Sequence, residues 1–371
     1  MKTRLRDLAQ RLRTASHPLP SVVTGFDGFV DELIAVVGER QGLEAFTPVP
    51  DIAAFGALIS KAAGQSSLRE IVVRAVHPGG CAVNMGDGIA SLGVPLDCFA
   101  TFGQPIHPAF AEFAAKCRTC HSWGAEPGRT LAFEFNDGKL MFSAVRPLAD
   151  FTPTLVERAL GDGAYAAACA RAKVIALTDW TLFPQMTAVW RLLQEKVYSQ
   201  LSHRPSFLFD LVDPSSRSEA DIRAMMEALP GFESAGPVVL GLNGNEANIL
   251  ARLVGIPEAG DDPAETLAVA QALRLRLGIS EVMIHRIKFA VTAAAGGSAT
   301  IPGPYCAQPK KSTGAGDRFN AGFCLGLLLG LDAWGRLAAG CACSGFFVRN
   351  ARSATLAELA EFVESDAVAW L

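Results

Sequence analysis

Short apolar runs rich in β-branched and aromatic residues recur at 21–24, 96–101, 174–177, 207–209, 238–242, 281–285 and 289–293. Helical patterns fill most of the intervals between them. Strands alternating with helices favour a mainly parallel sheet covered by helices. Each run ends near a turn or polar residue: Gly25, Gly103, Thr178-Asp179, Asp210, Asn243. Open α/β sheets bind ligands beyond the carboxyl ends of their strands, so a site is expected at those residues. The rhythm breaks once, at 129–145, where two half-apolar runs flank Asn136-Asp137-Gly138. Leu131, Phe133 and Phe135 on one run, and Leu140 and Phe142 on the other, put apolar residues on one face at period two. Asp-Gly between them predicts a hairpin. The pattern leaves open whether it edges the main sheet or forms a lid.

Composition narrows the class. The chain has 371 residues, half of them hydrophobic, which suffices for a large core. A net charge of −4 gives no basic face for nucleic acid or an anionic membrane. Residues 1–20 alternate Leu with Arg and read as a surface helix rather than a signal peptide. The longest apolar run, 319–331, is too short to span a bilayer. Nine cysteines follow no framework spacing, and Cys98, Cys169, Cys324, Cys341 and Cys343 read as small core residues. A soluble, cytoplasmic protein is expected, with no nucleic-acid or membrane partner. Cys117-Arg118-Thr119-Cys120-His121 fits the attachment pattern of c-type haem, but that chemistry needs export. A reduced cysteine pair on a surface loop is the expectation there.

The strongest chemical signal is Thr313-Gly314-Ala315-Gly316-Asp317, followed by a helix expected over 317–331. Phe319, Phe323, Leu327 and Leu331 make its buried stripe, and Gly322, Gly326 and Gly330 a second stripe that should pack closely on 338–345. A helix N-terminus approached by glycine is a ready anion site. The acid at its start has two readings. It is either a first-turn Asp favoured by the helix dipole, worth about 0.3–1 kcal/mol, or a catalytic carboxylate beside a phosphate cradle.

The longer string from Lys311 through Asp317 to Phe323 closely resembles the C-terminal signature of the ribokinase-like carbohydrate kinases, also called the PfkB family. Three further stretches are similar to that family's motifs, in its order. Gly25-Phe26-Asp27-Gly28-Phe29-Val30-Asp31 follows the first strand; Pro78-Gly79-Gly80-Cys81-Ala82-Val83-Asn84 looks like the N-terminal Gly-Gly signature; Asn243-Gly244-Asn245-Glu246 resembles Asn-x-x-Glu. The resemblance spans roughly residues 20–365. It implies a single three-layer α/β/α domain over 1–371 with a mostly parallel sheet and a small β-lid, whose segments are 32–50 and 124–147. It implies an ATP-dependent kinase that phosphorylates a hydroxyl of a sugar or sugar-like acceptor, with Mg²⁺. Asp317 matches the general base, and the N–H groups of Gly314, Ala315 and Gly316 match the anion hole. Asp31, Gly79, Gly80 and Asn84 match acceptor-binding positions, with Asp27 a rival to Asp31. Thr313 and Asn243 match nucleotide-binding positions, and Glu246 with Asn243 the magnesium motif, acting through water. A homodimer through the lid is one expected assembly. A nucleoside kinase and a non-catalytic ligand-binding member are the alternatives.

The chain departs from the family at Lys311, where relatives activated by monovalent cations often carry an acid. An ammonium there cannot ligate potassium; it either fixes a positive charge near the anion hole or is a solvated loop lysine. His285-Arg286-Ile287-Lys288 is more basic than the usual turn; Arg286 or Lys288 contacting nucleotide phosphates is one reading, and exposed hairpin charges are the expectation.

Overall fold

The computed structural model describes residues 1–370, which form fourteen strands in two sheets. In chain order the strands are β1 (Ser21–Gly25), β2 (Phe29–Arg40), β3 (Phe46–Pro48), β4 (Ile71–Gly79), β5 (Leu96–Ala100), β6 (Thr119–Ser122), β7 (Gly128–Phe135), β8 (Gly138–Ala144), β9 (Ala172–Leu177), β10 (Ser206–Asp210), β11 (Val238–Asn243), β12 (Glu281–His285), β13 (Phe289–Ala294) and β14 (Gly297–Pro302). The main sheet runs β14-β13-β12-β11-β10-β9-β1-β5-β6. Its strands from β12 to β6 are parallel, and β13 and β14 return antiparallel at one edge. All seven expected strands are present.

Alternate residues of the central strands feed two cores. Val23, Ile175, Phe207 and Phe209 point to one side, where Trp190 and Met225 cover them. Val22, Val174, Leu208 and Met283 point to the other, beneath Ile89, Phe323 and Ala342. Burial on both faces explains why these strands read as continuous apolar runs. The result is the expected three-layer α/β/α architecture. The chain order of strands reverses at β1, which has β5 on one side and β9 on the other. A crevice opens at such a point. The N-terminal segment forms the helix Lys2–Arg13, with Leu5, Leu8 and Leu12 buried.

The second sheet contains β2, β3, β4, β7 and β8. β7 and β8 are the hairpin at 129–145, pairing through Phe135↔Gly138 around Asn136-Asp137. β7 joins β2 in parallel, so the hairpin belongs to this sheet and not to the edge of the main one. The sheet also includes β4, which lies outside the segments expected from sequence, and the helix Ile52–Lys61, whose Phe55 packs on Phe133 at 5.8 Å and Phe135 at 5.3 Å. β4 carries the apolar run Ile71-Val72-Val73-Arg74-Ala75-Val76, but it is mostly exposed, and nothing in the run marks β2 as its partner.

Two further expectations are corrected. Cys120 and His121 lie on β6, paired with Cys98 and Phe99 of β5, rather than on a surface loop. The helix expected over 317–331 is Ala315–Leu328, because Gly330 adopts φ +62° and ends it. The expected close packing does occur: a Cβ on Gly322 would lie 2.3 Å from the Ala339 carbonyl oxygen. Backbone cannot yield there. Gly322→Ala should therefore destabilise the protein by about 2 kcal/mol or more, as overpacking does. Gly330→Ala, strained only by its left-handed φ, should lose about 1 kcal/mol. Chemical denaturation checks both; equal stability of Gly322→Ala and the parent would contradict the close helix contact.

Candidate active site

The helix Ala315–Leu328 starts at the carboxyl edge of the main sheet. Gly314 caps it with φ +87°, a left-handed conformation suited to glycine. The N–H groups of Gly314, Gly316 and Asp317 have no acceptor among the described residues, whereas that of Ala315 donates to the Ser312 carbonyl at 3.0 Å. Two of the three expected anion-hole groups are thus free. A ring edge of His285 underlies the turn, 3.3 Å from where a Cβ on Gly316 would stand. Burial pushes His285 down to about 4, so it is a neutral imidazole packed on Phe319 at 5.0 Å. Asp317 sits in this first turn. Burial, then the neighbouring Asp210 charge, push its carboxyl up to about 7, and Arg318 opposes them.

The turn separates two cavities that share Pro309 and Ser312. The larger, about 650 Å³, includes Asn243, Arg286, Lys288, Tyr305 and Gly316 in its lining. The other, about 470 Å³, lies under the second sheet and is lined by Asp31, His77, Asn84, Lys139, Lys311 and Thr313, among others. Thr313 was expected on the nucleotide side; the left-handed Gly314 turns the chain so that Thr313 faces the second cavity while Gly316 faces the first.

The two rival acids divide clearly. Asp27 is 1% exposed and its carboxylate accepts from the N–H of Cys81, the N–H of Ala82 (2.9 Å) and the Thr178 hydroxyl (2.9 Å). It caps the helix Cys81–Ser91, whose own cap residue Gly80 has no side chain. Burial still pushes it up to about 6. Asp31 instead opens to the second cavity, its pKa raised by burial against a Thr130 hydrogen bond. The paired glycines make room for these acids. A Cβ on Gly79 would lie 2.3 Å from Asp31 Oδ2, and one on Gly80, at φ +100°, 2.8 Å from Asp27 Oδ2.

Asn243 and Glu246 form a capping box at the helix Gly244–Leu253. Asn243 Oδ1 accepts from the N–H of Asn245 (2.9 Å) and of Glu246 (3.0 Å), and Glu246 Oε2 from the N–H of Asn243 (2.8 Å). Both lone pairs of Asn243 Oδ1 are thereby used, so it is not a direct metal ligand here. Burial, then Asp210, push Glu246 up to about 8. Among the described residues no three His, Cys, Asp or Glu side chains converge to hold a metal directly. An excess of carboxylates without direct convergence suits a divalent cation that keeps its waters.

Several residues of the site were not picked out as candidates. Asp210, at the end of β10, accepts from Asn320 Nδ2 at 2.6 Å. Its signal was present, as a strand-end acid. His77 and Lys139 enter from β4 and β8, and only strand register places them. Arg286, expected as an exposed hairpin charge, is tucked against Gly244, with Nη2 donating to the Ala259 carbonyl at 3.2 Å. Lys288 and Lys311 remain exposed.

Comparison with known proteins agrees with this geometry. The family profile "Prokaryotic ketohexokinase" matches residues 4–366. A ketohexokinase of Haloferax volcanii is 30% identical over 344 residues, covering 92% of this chain and 90% of that protein. Among solved structures, a ribokinase of Thermotoga maritima superposes with a TM-score of 0.63 at 14% identity, covering 94% of this chain and 100% of that one. A nucleoside kinase of Methanocaldococcus jannaschii does so at 0.58 and 14%, covering 93% and 98%. A PfkB protein of Polaromonas sp. JS666 does so at 0.59 and 16%, covering 92% and 99%. These three share the fold. The profile and the Haloferax relative go further: the chain belongs to the prokaryotic ketohexokinase family and is an ATP-dependent carbohydrate kinase.

Proposed function

We propose that the chain transfers the γ-phosphate of ATP to a hydroxyl of a ketohexose, with Asp317 as general base. The observation that carries the site is the single turn Ser312–Asp317 between two cavities: Thr313 lines one, Gly316 lines the other, and the turn holds a half-buried acid and free N–H groups. ATP occupies the larger cavity, where Asn243 and Arg286 reach its phosphates. The sugar occupies the other, held by Asp31 and Asn84 beneath the second sheet, which acts as the lid. Asp317 takes the proton from the attacking hydroxyl as its oxygen bonds to the γ-phosphorus and the β–γ bridge breaks. The N–H groups of Gly314 and Gly316 stabilise the charge on the transferring group. Such positioning and charge stabilisation are what phosphoryl transfer requires. Mg²⁺, when bound, neutralises the phosphate oxygens; Glu246 and Asp210 are the carboxylates that would hold it through water. Lid closure excludes water, so the phosphate passes to the sugar and not to solvent.

The lid also supports the expected dimer. Ile71, Val73 and Val76 of β4 and Phe142 of β8 are exposed at 44%, 44%, 47% and 54%. Strand register puts all four on the lid face opposite Asp31. Paired copies would bury this strip. Phe142→Arg with Val73→Arg should convert a dimer into a monomer in analytical ultracentrifugation; a monomeric parent protein would refute the assembly.

Two predictions follow from Asp317. Asp317→Asn should lower turnover by a factor of about 10² or more without change in the circular dichroism spectrum. Near-normal turnover would remove it from the mechanism. The base works deprotonated, and its carboxyl lies up at about 7. At saturating MgATP, kcat/KM for the sugar should therefore fall about tenfold per pH unit below that value. A flat profile down to pH 5 would contradict the raised carboxyl.

A further inference from the structure

Arg318 follows the base directly and is a cation in the first turn of a helix, where the macrodipole disfavours positive charge. It is nevertheless only 7% exposed. Two of its three nitrogens are pinned: Nε donates to Ser353 Oγ at 3.2 Å, and Nη2 to Asp87 Oδ2 at 3.1 Å. Asp87 is itself fixed by Lys116 and by Ser353, each at 2.7 Å. The guanidinium lies 4.5 Å from the centre of the Phe347 ring. With its plane set in this way, Nη1 is buried and has no partner among the described residues. It is aimed at the helix start: a Cβ on Gly314 would stand 2.8 Å from Nη1 and 3.6 Å from the Asn84 amide. A buried guanidinium N–H left unpaired is unfavourable, and an anion at the same helix N-terminus would satisfy it.

The geometry points to Arg318 as a second catalytic residue, whose Nη1 donates to a non-bridging oxygen of the phosphoryl group as it is transferred. This rests on the Gly314–Asp317 turn being the site of transfer. Nη1 and the N–H groups of Gly314 and Gly316 then approach the same group. The step is that of the parent reaction: the hydroxyl oxygen bonds to γ-phosphorus, ADP leaves with the bridging electron pair, and the proton goes to Asp317. Arg318 exchanges no proton and stays charged throughout. It therefore supplies the fixed positive charge that sequence had suggested for Lys311, whose ammonium is exposed and 5.7 Å from the same Phe347 ring. Glycine at 314 has a second reason here, since any side chain would stand between Nη1 and the ligand.

The direct test is a crystal structure of the unaltered protein with ADP, Mg²⁺, aluminium fluoride and fructose. Nη1 should lie about 3 Å from a fluoride of the phosphoryl mimic. A mimic seated at Gly314 with Nη1 beyond hydrogen-bond reach overturns the role of Arg318 alone. A mimic seated elsewhere overturns this inference and the site together. In solution, Arg318→Gln should lower kcat by about 10²-fold, as loss of a transition-state donor does. KM for fructose and Kd for ADP should stay within about threefold, a split that a merely structural role would not give. Arg318→Lys should fall between, because it retains charge without the fork. A folded Arg318→Gln protein with undiminished kcat sinks the proposal; if that variant does not fold, the ternary structure decides.

Discussion

Burying carboxylates at the carboxyl edge of a parallel sheet is the constraint on which the rest of this active site depends. Asp27, Asp179, Asp210, Glu246 and Asp317 all have their pKa raised, in each case chiefly by burial. Acids this close repel one another strongly when water is excluded. The protein offsets part of that with its own donors. Asp27 takes two helix N–H groups and a hydroxyl, Asp210 takes the Asn320 amide, and Glu246 takes its own helix cap. The remainder is a standing deficit of positive charge. Arg318 meets some of it at Asp317, and the proposed magnesium would meet more. The same crowding raises the Asp317 carboxyl to about 7, a range in which the proposed base would be most useful.

Glycine is the second half of that arrangement. Gly79, Gly80, Gly314 and Gly316 each lie where a Cβ would touch a functional side chain: Asp31, Asp27, Arg318 and His285 in turn. These residues form the floor on which charged groups approach backbone closely. Their spacing in sequence was visible; the reason for each was not.

The sequence showed what is local or periodic. Seven core strands were legible because they are buried on both faces, and the hairpin because Asp-Gly separates alternating runs. The proposed base and the free N–H groups were legible because glycine, small residue and acid stand together at a helix start, and because three other motifs follow the family's order. Non-local facts were out of reach. The apolar run of β4 does not reveal its partner or register, so His77 could not be placed beside Asp31. Whether Asp27 or Asp31 faces the ligand depends on which one the distant helix at Cys81 claims. Arg318 was in plain view in the string, but its meaning depends on Asp87 and Ser353, 231 and 35 residues away.

β2 leaves the main body at Phe29 and runs without interruption to Arg40 in the lid. Asp31 stands two residues along this strand and Arg40 eleven. With about 3.3 Å of rise per residue, a rotation about the start of β2 moves Asp31 roughly one-fifth as far as the tip. β2 is therefore a lever with its grip beside the fulcrum. If the lid opens as proposed, its rim would sweep several ångströms while Asp31, the acid proposed to hold the sugar, barely shifts.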